Sequence, residues 1–149
     1  MSQGSITYTD TLKASFLKRY DQDGTVWIEA IAHAALTAKT PYKVIMNQYG
    51  HVTAAIADDV TSYYVGIPAA SCSIGDKVWL QIGGEISDVI TGTLSVTADH
   101  AFSILDGDVA DVGAAYTGLP GQFAACTTTS TSSTTQDMML YPEKITGTT

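Results

Sequence analysis

The sequence predicts an all-β fold, a small barrel or sandwich of short strands and hairpins. Short apolar runs rich in β-branched and aromatic residues recur from Val26 to about Val112, and glycine turns separate them. Helical periodicity is found in one short stretch, 10–20. A chain of 149 residues suits a single domain, which buries about 70% of its unfolded surface. We therefore expect one β-rich domain with extensions at its ends.

The first element is a predicted amphipathic helix with Asp10 as its N-cap. Apolar side chains recur at i, i+4, i+5 and i+8, at Leu12, Phe16, Leu17 and Tyr20. A helix of about ten residues is marginal alone, so its apolar stripe must pack on the body or on a partner. We assign residues 1–25 to an N-terminal arm or short helix.

The next stretch, Asp21 to Gly24, has the acidic spacing of a calcium loop but lacks its other positions. An EF-hand needs glycine at the sixth position and glutamate at the twelfth, whereas Gly24 and Glu29 fall at the fourth and ninth. A tight turn into a strand at residues 25–28 is the better interpretation. We expect no metal site and no change in stability on chelation.

Two apolar runs at the centre of the chain predict a pair of strands. They span Tyr63 to Ile67 and Val78 to Ile82, with Pro68 and the turn Gly75-Asp76 between them. Gly83-Gly84 is predicted to end the second strand. Trp79 or one of its neighbours, Val78 and Leu80, is expected in the core.

Two further hairpins flank this pair. One joins 36–46 to 51–54, and the other joins 94–104 to 108–110 through Asp106-Gly107, a strong turn signal. A Gly-x-Val step opens both return strands, which indicates a weak internal repeat. Residues 26–125 are therefore assigned to the β-rich domain.

Nine consecutive hydroxyl residues, Thr127–Thr135, follow this domain. They predict an extended linker or an exposed strand, because nothing in the run is apolar. The apolar residues after it form an anchor that either docks on the body or a neighbouring subunit, or belongs to a core strand. We assign 126–149 to a linker and tail. The candidate interface residues at both ends are Leu12, Phe16, Arg19, Tyr20, Met138, Met139, Leu140 and Tyr141.

Charge excludes one class of partner. The net charge is −8, and five of the seven basic residues lie within the first 43 positions. Direct binding to nucleic-acid phosphates needs clustered Lys and Arg, so we expect none. No apolar run is long enough for a membrane helix, and the opening residues do not form a signal peptide. Synthesis in the cytoplasm follows.

No recognisable catalytic motif occurs. His33, His51 and His100 are outside any nucleophile or metal-binding pattern, and the acid pairs lie at predicted turns. Cys72 and Cys126 lack metal-ligand spacing and are predicted to be buried free thiols. We expect no enzyme activity, no catalytic residues, no cofactor and no metal.

Residues 34–113 resemble the small capsid decoration, or cement, proteins of tailed bacteriophages. The shared pattern is a Gly-x-Val step, apolar-Gly-Ile, Gly-Asp-x-Val and a later glycine. Here these are Gly50-His-Val52, Val65-Gly66-Ile67, Gly75-Asp76-Lys77-Val78 and Gly84. The motifs are glycine turns, and the two ends of the chain have no counterpart in the pattern.

The resemblance implies a non-enzymatic virion protein on the capsid exterior. Such proteins commonly act as homo-trimers that bind the major capsid protein and hold its neighbouring subunits together. Two other classes remain open from the residues alone. One is a β-sandwich module that binds carbohydrate or a cell surface, which an exposed pair of aromatic rings in one groove would favour. The other is a small hydrolase or lyase, which would need His100 or His51 beside two acids.

Overall fold

A computed structural model describes residues 18–44, 51–52, 64–105, 108–117 and 122–141. All regular secondary structure in these ranges is strand, which confirms the all-β class. No helix there is long and apolar enough to span a membrane. The strands are β1 (Lys18–Tyr20), β2 (Val26–Ala32), β3 (Tyr42–Val44), β4 (His51–Val52), β5 (Tyr64–Pro68), β6 (Lys77–Val96), β7 (His100–Leu105), β8 (Asp108–Ala115), β9 (Gln122–Cys126) and β10 (Ser130–Leu140).

The ten described strands form one hydrogen-bonded sheet, sandwich-like as a whole, in which two groups share β6. In the first group the order is β1-β2-β4-β3-β5-β6, and β2 also pairs with β6. In the second group the order is β6-β10-β9-β7-β8. The pairing of β2 with β4 is parallel, and the other pairings of the described strands are antiparallel.

The described residues form two cores, and β6 contributes to both; Val65 and Ile67 of β5 also lie in the second core. Leu80 and Ile82 pack with Ile28 and Val44 in the first core. Farther along β6, Ile86, Val89 and Val96 pack in the second core with side chains of β7, β9 and β10, such as Phe102, Phe123 and Met138. Because one continuous strand lines both cores, the two groups cannot separate without breaking β6.

The predicted central strand pair is confirmed, but its second strand is much longer than expected. Ile67 and Pro68 pair with Gln81 and Leu80. Gly84 does not end the strand: its φ of 89° and a shift in the pairing of β2 mark an irregularity within β6. A Cβ on Gly84 would lie 2.7 Å from the Gly24 carbonyl oxygen. The glycine lets the Asp21–Thr25 turn approach the sheet.

The prediction of an N-terminal helix is wrong for residues 18–20, which form β1 and pair with β2. Their backbone groups bond to the edge of β2, which a helical turn would forbid. Residues 10–17 lie outside the described ranges. The tight turn after β1 is confirmed: the Asp21 amide donates to Thr25 and the Gly24 amide donates to Asp21.

The two flanking hairpins are confirmed, with a correction of bounds in each. In the first, the regular strand begins at Tyr42, and Leu36 instead forms an isolated bridge with Cys72. Val44 pairs with Val52, and Ile104 pairs with Val109. Residues 94–96, however, belong to the end of β6, since a turn at Thr97 to His100 separates them from β7. Asp99 in this turn has a φ of 73°, a conformation that Asp tolerates better than most residues.

The predicted linker and tail is instead a core strand as far as Leu140. β10 pairs with both β6 and β9. The sheet therefore continues across the domain boundary that was expected at 125–126. Gln136, Met138 and Leu140 alternate inward and are buried. The hydroxyl run supplies the more exposed start of this strand, so the exposed-strand alternative is right for 130–135.

Leu80 should be the most sensitive of the three candidate core residues on β6, because it is fully buried while Val78 and Trp79 are half-buried. Leu80→Ala should lower the free energy of unfolding by about 2–5 kcal/mol, as large-to-small core changes do. The measurement is denaturant unfolding. Ile74→Ala, at a side chain that is 68% exposed, is the control, and equal stability of the two variants would contradict the assignment of the core.

Gly84→Ala and Gly92→Ala should differ in stability although both glycines have positive φ. The added methyl at 92 meets nothing within 4 Å, whereas at 84 it meets backbone of the Asp21–Thr25 turn. Both variants lose about 1–2 kcal/mol from the left-handed conformation. Gly84→Ala should lose clearly more, and equal melting temperatures would show that the turn does not pack there.

Candidate interaction surface

One face of β1, β2 and β6 points away from the first core and carries both tryptophans of the chain. Strand alternation produces this face, because Ile28 and Ala30 point into the core while Trp27 and Glu29 point outward. Register then aligns three strands: Arg19 lies opposite Trp27, and Glu29 lies opposite Trp79. We call this surface the tryptophan face and define it as Arg19, Trp27, Glu29, Lys77 and Trp79.

Arg19 lies over both indole rings at the centre of the face. Its guanidinium carbon is 5.1 Å from the ring centroid of Trp27 and 4.8 Å from that of Trp79. Both distances are within the range of cation–π attraction. Nε and Nη2 of Arg19 donate to the two carboxylate oxygens of Asp21, at 3.0 and 3.3 Å. Three neighbours therefore orient a side chain that is still 43% exposed.

The turn between β1 and β2 orients Trp27 as well. The Trp27 indole N–H donates to the Thr25 hydroxyl at 2.9 Å, and this hydroxyl donates to Asp23 at 2.6 Å. The Thr25 amide also donates to the same carboxylate. Both hydrogen bonds to Asp23 lower its pKa because they favour the charged carboxylate, and the bond from the Thr25 hydroxyl has the larger effect.

The rim of the face is charged and loosely paired. Lys77 Nζ lies 4.0 Å from Glu29, with the lysine side chain about half exposed. Tyr20, the next residue after Arg19, is 72% exposed. Aromatic and guanidinium groups at the centre with charged groups around them are typical of protein-binding surfaces.

The candidate interface residues are distributed over different environments. Arg19 lies on the tryptophan face, whereas Tyr20, the partner of Val26, points to the other side of β1. Met138 and Leu140 are core residues of their own chain, which corrects the prediction that they offer a surface to a partner. Met139 is half-buried. Tyr141 stacks on Tyr116 with ring centroids 4.2 Å apart. Leu12 and Phe16 lie outside the described ranges.

His100 has a carboxylate partner that sequence spacing did not indicate. Its Nδ1 lies 3.1 Å from both oxygens of Asp111, not of the adjacent Asp99. Asp111 also accepts the Gly113 amide at 2.8 Å. The contact fastens the end of β8, where the pairing with β7 is irregular between His100 and Phe102. We interpret it as a structural contact.

The other candidates for a reactive or metal-binding site in the described ranges are the acidic residues and the two cysteines. No three His, Cys, Asp or Glu side chains there converge as metal ligands. Cys126 is buried and Cys72 half-buried, both as free thiols, so the burial prediction is right for the first. Burial raises the pKa of each thiol and leaves it less reactive. A depression of about 210 Å³ is lined mainly by hydroxyl residues, together with Asp88 and Asp137.

Comparison with known proteins gives an informative structural match. No family model matches the chain, and no curated protein matches it in sequence. The chain is similar in fold to the crystal structure of the N base of the head fiber gp8.5 of bacteriophage phi29. The TM-score is 0.52 at 11% identity, over 79% of this chain and 95% of that chain. At this identity the match shows a shared fold.

The sequence indicated Arg19 as an interface residue but did not indicate its aromatic partners. Trp27 was expected in a strand and Trp79 in or near the core, with no sign that they share a face. The signal that would have linked them is the pairing register of β2 with β6. Such long-range register is not encoded by any local turn.

Arg19→Ala should expose both indoles and have a small effect on stability. Cation–π contacts at exposed sites are worth about 0.5–1 kcal/mol, so unfolding should become easier by about that amount. Acrylamide quenching of tryptophan emission should rise. Arg19→Lys, which keeps the charge but not the two-pronged contact with Asp21, should give an intermediate result. Unchanged quenching in Arg19→Ala would contradict the stacked arrangement.

Proposed function

We propose that this chain is a non-enzymatic structural protein of a tailed-bacteriophage head, which binds the outside of the capsid and stabilises contacts between major capsid subunits. The observation that carries the proposal is the fold shared with a phage head fiber base over most of both chains. The resemblance of residues 34–113 to capsid decoration proteins points to the same part of the virion. These two likenesses were reached separately, one from sequence motifs and one from structure.

The distribution of side chains in the described ranges supports a binding role. The polar groups that are best placed for chemistry are used in the fold, as in the contact of His100 with Asp111 that fastens β8. The tryptophan face, by contrast, presents oriented side chains to solvent. A protein that recognises a lattice by shape needs several modest contacts, and we propose a homo-trimer because linked copies raise avidity without a tight single site.

A carbohydrate-binding module is the second candidate, and the pair of tryptophans on one face favours it. Sugars stack on exposed aromatic faces. Here, however, the Arg19 guanidinium already covers one side of each ring. The protein-binding alternative is therefore better supported, and the two make different predictions for the same purified chain.

The proposal predicts that the purified chain co-sediments with phage heads that lack it and saturates at a fixed number of copies per head. Bound heads should release their DNA at a higher temperature than bare heads, because the added contacts bridge neighbouring capsid subunits. Light scattering on the free chain tests the trimer.

Heads that already carry their full complement of the chain are the control and should bind no more. Failure to bind bare heads, together with binding to host-envelope polysaccharide, would overturn the proposal in favour of the carbohydrate module.

A further inference from the structure

We infer that the tryptophan face is the surface that docks on the head, with Arg19 contacting a carboxylate of the capsid protein. The inference rests on the proposed function and adds to it a particular face and a chemistry. Its occupant is an acidic protein surface, not a glycan and not a second copy of this chain.

The unused edge of Arg19 is the first argument. A guanidinium has five N–H donors in a planar fork. The Asp21 carboxylate accepts hydrogen bonds from Nε and from one N–H of Nη2. Among the described residues, Asp21 is the acceptor for the Arg19 guanidinium. The opposite edge, formed by Nη1 and Nη2, belongs to a side chain that is 43% exposed. That edge fits a second carboxylate with two parallel hydrogen bonds.

Preorganisation is the second argument. Ordering a long side chain at an interface costs about 0.5–1.5 kcal/mol, and a side chain already held in place avoids much of it. Two indoles and Asp21 hold Arg19 in the free chain. The Thr25 hydroxyl in turn holds Trp27. Trp and Arg are also residue types that dominate binding energy in protein interfaces.

Charge is the third argument, because the face is less negative than the chain as a whole. The charges on and beside the face are three bases and three acids, which sum to zero: Lys18, Arg19, Lys77, Asp21, Asp23 and Glu29. The whole chain carries −8, so the rest of it carries all of the net negative charge. An acidic partner therefore meets less repulsion at this face than over the chain as a whole.

The first test uses the fact that both tryptophans of the chain lie on this face. The chain is made with 5-hydroxytryptophan, whose emission can be excited separately from the tryptophans of the heads. Binding to bare heads should reduce acrylamide quenching of the labelled chain. Quenching that stays the same on fully bound chain would overturn the inference, because another face would then be the one that docks.

The second test compares variants in the head-binding assay. Arg19→Lys should weaken binding about tenfold or more, the loss expected of a central interface residue. Val112→Ala, at a side chain 41% exposed on β8 in the other strand group, is the matched control and should bind like the parent. Circular dichroism checks that both variants remain folded.

The outcomes separate this inference from the proposed function. If the parent binds heads and Arg19→Lys binds equally well, the docking face is wrong while the function stands. If the parent does not bind heads, the proposed function fails. If Arg19→Lys instead dissociates the free chain in light scattering, the face is an interface between copies and the capsid occupant is wrong.

Discussion

The structure depends on one strand, β6, which runs from Lys77 to Val96 and serves two cores. Leu80 and Ile82 face the first core, and Ile86 and Val89 face the second. Ile82 and Ile86 are four positions apart, so on a regular strand their side chains would point to the same side. Because they lie in different cores, the strand needs an irregularity between them. Gly84, with its positive φ, provides it at the point where the Asp21–Thr25 turn also packs.

A loop also connects the two groups of strands. The Lys39 amide donates to the Pro68 carbonyl, and the Ile90 amide donates to the Lys39 carbonyl, so this residue bridges β5 and the second half of β6. Its ammonium group also donates to the Ser87 carbonyl. With β6 continuous and this loop bonded across it, β1, β2 and the first half of β6 have a fixed relation to the rest of the molecule. The tryptophan face is held by that relation.

Local signals in the sequence predicted local structure well. Gly75-Asp76 and the Gly-x-Val steps identified hairpins that the structure contains, because such turns depend on residues close together in the chain. Pairings over longer distances were not predictable. β10 joins β6 across more than 30 residues, and its inward residues Gln136, Met138 and Leu140 follow a hydroxyl run that looks like a linker. Likewise, the pair Gly83-Gly84 is typical of a strand end, yet β6 continues through it. The reason is the packing of the distant Asp21–Thr25 turn against Gly84.

The energetics of the tryptophan face indicate what the arrangement is suited to do. An exposed cation–π contact contributes about 0.5–1 kcal/mol, and an exposed ion pair such as Arg19–Asp21 about 0–1 kcal/mol. These terms are small beside the burial of Leu80 or Phe102, so the face adds little to folding. The same contacts hold Arg19 in one orientation before any partner arrives, which favours binding by lowering the entropy lost on association. An arrangement that contributes little to stability and much to preorganisation is better suited to recognition than to holding the fold.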